Sequence, residues 1–107
     1  MTSVPPSEIL DLAALAEYQP GAIVSRQLTK SEAGNVTLFA FDAGQELSEH
    51  TAPFDALVHL LDGEAEIKIG DRPFLLSAGQ AILMPANVPH AVRAVTRFKM
   101  LLTIIKA

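Results

Sequence analysis

Short apolar runs, separated by residues that favour turns, make up most of the chain after residue 21. The clearest run is 64–69, where Ala65, Ile67 and Ile69 alternate with charged residues, as in a strand with one buried and one solvated face. A sheet with one face in water is antiparallel. Comparable runs predict further strands over 22–28, 35–41, 56–61, 74–76, 81–84, 90–95 and 98–105. So many short strands, with no helices between them, predict an all-β sandwich or a closed β-barrel.

The first 21 residues follow a different pattern. Ser7 is a suitable cap for a short helix over 8–17, whose apolar residues lie near helical spacing, and Pro20 and Gly21 would end that helix. A chain of 107 residues buries a sufficient core as one domain. We therefore predict a single domain over 1–107, with a helical or extended N-terminal segment over 1–21.

Composition and charge exclude several classes of function. The net charge is −4 and the basic residues are scattered singly, so we expect no nucleic-acid partner. No apolar run is long enough to span a membrane, and the N-terminus does not fit a signal peptide. The absence of cysteine excludes a disulfide framework, a thiolate metal site and a cysteine nucleophile. We expect a cytoplasmic protein with no membrane partner.

Two segments carry glycine, proline and histidine at regular spacing. The residues concerned are Gly44, His50 and Gly63 in the first segment and Gly79, Pro85 and His90 in the second. This spacing resembles the two sequence motifs of the cupins, and the resemblance extends over about 36–105. It implies a cupin barrel, which is a double-stranded β-helix or small jelly roll.

The resemblance also shows what the chain lacks. Cupins commonly hold a divalent metal with three histidines and one carboxylate, and His50 and His90 occupy the first and third histidine positions. Ala52 and Ala56 occupy the positions of the second histidine and the carboxylate. Asn87 replaces a motif glycine, but asparagine tolerates the left-handed backbone conformation well. Two imidazoles alone would hold a metal only weakly.

Three interpretations of this site remain open. The first is a pocket for a small molecule, because the two alanines add space and remove charge. Its expected residues are His50, Ala52, Ala56, Val58, Met84, His90 and Met100. The second is a metal-dependent enzyme of the dioxygenase or isomerase type, in which His50 and His90 hold Fe, Mn, Ni or Zn and Asp55, Glu49 or Glu46 lies close enough in sequence to assist. The third is a structural remnant with two neutral imidazoles.

His59 is the remaining histidine. Residues alternate between the two faces of a strand, so His59 should lie on the face opposite Ala56 and outside the pocket. With Leu57 and Leu61 it would form an apolar stripe on the outer surface. We expect this stripe to form the interface of a homodimer.

Overall fold

The computed structural model describes residues 4–106, which form nine strands and one short helical turn. The strands are β1 (Ile23–Ser31), β2 (Gly34–Phe41), β3 (Glu46–His50), β4 (Asp55–Asp62), β5 (Glu64–Ile69), β6 (Arg72–Ser77), β7 (Ala81–Met84), β8 (His90–Ala94) and β9 (Phe98–Ile105). The helical turn precedes β1 and covers Leu12–Ala14.

The nine strands form two sheets that face each other. The first sheet has the order β1-β2-β9-β4-β7 and the second has the order β3-β8-β5-β6. All strand pairs within residues 4–106 are antiparallel. From β3 to β9 the chain passes repeatedly from one sheet to the other, as in a jelly roll. The predicted all-β fold is confirmed.

The predicted strands are all present, but the sequence pattern did not indicate β3. This strand covers Glu46–His50, and four of its five residues are exposed. Leu47 is its only apolar residue, so neither alternation nor an apolar run marks it. The omission matters because β3 ends at His50, which is one of the two motif histidines.

The short N-terminal helix is a single 3-10 turn over Leu12–Ala14, and the rest of the predicted range 8–17 is not helical. Ser7 has a φ of 63°, which differs from the extended backbone of a helix cap. Isolated helices of this length are marginal in water, so contacts with the sheet decide the conformation. Tyr18 makes such a contact by donating a 2.5 Å hydrogen bond to Asp62. Within residues 4–106, no helix is long and apolar enough to cross a membrane.

The main hydrophobic core fills the space between the two sheets. At its centre the rings of Phe41 and Phe98 are stacked with their centroids 4.5 Å apart, and both side chains are fully buried. Phe39 and Phe74 are partly buried and pack against this core. A smaller cluster lies on the outer face of the first sheet under the N-terminal segment, and its buried members are Ala16, Leu28, Leu38 and Ala40. The N-terminal segment thus covers only part of that outer face.

Candidate functional site

The two motif histidines lie directly opposite each other on β3 and β8. The Nε2 atoms of His50 and His90 are 3.0 Å apart, and the rings meet edge to face with centroids separated by 4.3 Å. His90 is only 4% exposed, whereas His50 is exposed to solvent. The pair therefore extends from the interior of the barrel to its surface.

The backbone contacts of the two rings favour one tautomer of each ring. Nδ1 of His50 lies 3.0 Å from the carbonyl oxygen of Ser48, and Nδ1 of His90 lies 3.2 Å from that of Val88. A carbonyl oxygen only accepts hydrogen bonds, so each Nδ1 must donate. In two neutral rings both Nε2 atoms then carry lone pairs that face each other. A neutral pair has two N–H protons for three close contacts, so one contact stays unsatisfied, and a proton or another cation shared by the Nε2 atoms would relieve it.

The surroundings of His90 disfavour the protonated ring. Burial is the main cause that lowers the pKa of His90 below its usual value, and the adjacent His50 lowers it further. The hydrogen bond to the carbonyl of Val88 acts in the opposite direction. The net effect lowers the pKa of His90, which favours the neutral ring.

We expect the replacement His50→Ala to raise the pKa of His90. The variant removes the charge repulsion from His50 and admits water to the buried ring, and both changes favour protonation. NMR titration of the imidazole Cε1 protons measures the shift. The control is His59→Ala, which should leave the His90 curve unchanged. If His59→Ala shifts the His90 titration curve and His50→Ala does not, the pairing of His90 with His50 is wrong.

The histidine pair lines a cavity of about 80 Å³. Its lining residues are Leu47, His50, Ala52, Phe54, Ala56, Met84, His90, Val92, Met100, Leu102 and Ile104. Except for the two histidines, all of these side chains are apolar. Of the residues proposed from sequence, only Val58 is not in the lining; it lies on the inward face of β4 and is fully buried in the core.

Several lining residues were missed by the sequence analysis. Val92 lies two residues after His90 on β8, and Leu102 and Ile104 follow Met100 at the same spacing on β9. The two-residue period of a strand would have identified these three from their neighbours. Phe54 lies in the loop between β3 and β4, where no periodic signal exists.

The structure does not complete a site for a hard divalent ion. Within residues 4–106, no three His, Asp, Glu or Cys side chains are close enough to hold a metal together. The carboxylate of Asp55 accepts a 2.8 Å hydrogen bond from the backbone N–H of Ala86. Oε1 of Glu49 lies 3.9 Å from Nζ of Lys68. The residues present therefore fit the usual cupin metal poorly, since such ions need several donors and favour anionic ones.

His59 lies outside this site, as expected. It pairs with Ala81 and Leu101 on the neighbouring strands, and its side chain is half-buried on the outer face of the first sheet. The backbone of Asn87 is left-handed, with a φ of 64°. Its N–H donates a 2.8 Å hydrogen bond to the carbonyl of Ala52 and joins the two loops beside the cavity.

Comparison with known proteins places this architecture in a family. The model of the cupin domain family matches residues 37–105. A conserved protein of unknown function from Streptococcus pyogenes is 38% identical, with a TM-score of 0.92 over 97% of this chain and 91% of the other. A cupin superfamily protein from Desulfitobacterium hafniense is 32% identical, with a TM-score of 0.90 over 97% of this chain and 95% of the other.

A third solved structure is similar in sequence but longer. The cupin 2 conserved barrel domain protein from Leptotrichia buccalis is 42% identical, with a TM-score of 0.88, and the match covers 91% of this chain and 47% of that one. No match was found among curated proteins. Since the family model covers most of the barrel and the similar structures share its fold, the chain belongs to the cupin family.

Proposed function

We propose that this cupin binds a small molecule in the cavity beside His50 and His90, and that it acts in the cytoplasm, which suits a chain without cysteine. The observation that carries the proposal is an apolar cavity whose only polar lining side chains are the two adjacent histidines. Apolar walls with a few convergent polar groups are typical of small-molecule sites. Ala52 and Ala56 contribute to this space because their methyl groups occupy the positions of larger ligand side chains in the cupin motif.

The size and chemistry of the cavity restrict the ligand. A volume of about 80 Å³ is smaller than the roughly 150 Å³ of a cavity that binds benzene. The walls favour a compact apolar body, and the Nε2 atoms of His50 and His90 provide the polar contact. Because His50 is exposed, a longer ligand can extend into solvent past it.

The test is NMR titration with two probes that combine a small apolar body with one hydroxyl donor: isopropanol and isobutanol. We expect at least one probe to shift the methyl signals of Met84 and Met100 in a saturable manner. His50→Ala should weaken that binding about 2- to 12-fold, which corresponds to the loss of one hydrogen bond. His59→Ala is the matched control and should have no effect. If no probe shifts the cavity signals, or if both variants behave alike, the pocket proposal fails.

A divalent-metal enzyme is the second candidate. In its favour, one ion at the usual 2.0–2.1 Å from imidazole nitrogen could bind both Nε2 atoms across their 3.0 Å separation. Against it stands the incomplete donor set described above. Elemental analysis of protein purified without a histidine tag distinguishes the candidates. A stoichiometric Fe, Mn, Ni or Zn signal that disappears in His50→Ala would place the enzyme first.

We further propose that the chain forms a homodimer through the outer face of the first sheet. Leu57 and Leu83 are neighbours in the β4–β7 pair, and Ile105 lies on the same face of β9. Their side chains are 40%, 50% and 53% exposed, respectively. Thr103 and Asp55 lie between these apolar residues, and an exposed apolar group of this kind on one face suits a self-complementary contact between two copies. Leu61, the other leucine of the expected stripe, packs instead against the cluster under the N-terminal segment.

Sedimentation at micromolar concentration tests the dimer. We expect a species of about twice the chain mass of 11.4 kDa. Leu57→Glu combined with Leu83→Glu should give the monomer, since buried unpaired carboxylates oppose association. Leu75→Glu is the control, because Leu75 is also exposed, at 61%, but lies on β6 of the other sheet. A monomeric wild-type protein, or a double variant that remains dimeric, would refute this interface.

A further inference from the structure

Two of the three methionines in the chain lie in the same cavity as the histidine pair. Met84 is on β7 and Met100 is on β9, and both side chains are buried. Met84 is paired across the sheet with Ala56, the position at which the cupin motif has its carboxylate. A thioether therefore lies beside the place where the anionic ligand is missing.

Four side chains of the cavity carry a nitrogen or sulfur atom, and none of them supplies a negative charge. They are His50, His90, Met84 and Met100. The tautomers of His50 and His90 leave both Nε2 lone pairs available, and a thioether sulfur is a soft, neutral donor. The desolvation cost of an ion grows with the square of its charge, so a monovalent ion pays about a quarter of the cost of a divalent one. Neutral and partly soft donors thus favour a soft ion of low charge.

We infer that the cavity binds Cu(I) through Nε2 of His50, Nε2 of His90 and a methionine thioether. Thioether ligands select Cu(I) among the common metals, whereas the oxygen-rich sites of hard dications have no counterpart within residues 4–106. An ion to one side of the line between the Nε2 atoms, about 2 Å from each, would also relieve the repulsion between their lone pairs. The inference rests on the proposed function in one respect, because both require the cavity to admit a ligand.

The experiment uses the untagged full chain, Cu(I) alone under anaerobic conditions with ascorbate, and competition with the chromogenic chelator bicinchoninate. We expect the protein to withdraw one equivalent of copper and to shift the methyl signals of Met84, Met100 or both. The variant Met84→Leu/Met100→Leu keeps the apolar volume nearly constant. It should weaken binding at least 10-fold, since even the loss of an outer-shell partner costs about 10–100-fold. His59→Ala should bind Cu(I) as the wild type does.

Three results would overturn the inference: no withdrawal of copper, equal Cu(I) affinity in the double leucine variant, or tighter binding of Zn²⁺ or Ni²⁺ in a matched competition. Equal affinity in the leucine variant would mean that both methionines only fill space in the core. Circular dichroism and melting of each variant confirm that it folds. The isopropanol and isobutanol titrations are performed on metal-free protein, so a pocket that binds those probes but not Cu(I) would refute this inference alone.

Discussion

Replacement of Gly63 with alanine should destabilise the protein by well over the 1–2 kcal/mol that a left-handed residue ordinarily costs. Gly63 joins β4 to β5 with a φ of 75°. An added Cβ would lie 2.0 Å from the carbonyl oxygen of Arg97 and 2.9 Å from Cα of Phe98. Both are backbone atoms at the start of β9, so the clash can be relieved only by moving that strand. Urea denaturation followed by circular dichroism measures the loss in free energy of unfolding.

Two other motif glycines are matched controls for this effect. Gly44 and Gly79 also have positive φ, at 80° and 91°, but an added Cβ at either would have no atom within 4 Å. Alanine at these positions should cost only the conformational term of about 1–2 kcal/mol. If Gly63→Ala is no more destabilised than Gly79→Ala, the close approach between Gly63 and Arg97 is wrong.

These glycines illustrate why the fold could be predicted from sequence. A turn that needs a left-handed residue leaves a visible glycine, and alternation on β5 shows which face is buried. By contrast, β3 has mostly polar and exposed residues, because it is held by pairing with β8 and not by burial of its own side chains. The local sequence pattern also could not predict the conformation of the N-terminal segment, because contacts such as that between Tyr18 and Asp62 determine it.

The candidate site was predictable in position but not in chemistry. The motif spacing placed His50 and His90 together, and strand alternation placed His59 outside. The favoured tautomers depend on the carbonyl groups of Ser48 and Val88, which are backbone groups that the sequence pattern does not reveal. Asp55, a candidate ligand by proximity in sequence, binds the backbone of Ala86 instead. Such backbone contacts decide which side chains of a loop turn toward a cavity. Sequence alone therefore could not exclude Asp55 as a ligand.

If the two alanines are the reason that hard ions fit poorly, restoring the motif should reverse the preference. Ala56 is buried on the inward face of β4, and Ala52 is half-buried in the loop beside it. Both line the cavity with His50 and His90. A histidine at position 52 and a glutamate at position 56 would supply a third imidazole and one negative charge. That set has the number and type of donors that borderline dications such as Ni²⁺ and Zn²⁺ require.

We therefore expect Ala52→His/Ala56→Glu to be less stable than the wild type without metal and to be rescued by Ni²⁺ or Zn²⁺. A buried, uncompensated carboxylate costs several kcal/mol, whereas an ion present at a thousand times its Kd returns about 4 kcal/mol. Thermal melting with and without each ion measures both effects. Ala52→His/Ala56→Gln is the control, because it has nearly the same volume but no charge, and its melting temperature should respond much less to metal. Equal rescue of the glutamine variant, or none of the glutamate variant, would show that position 56 does not face the ion bound by the histidine pair.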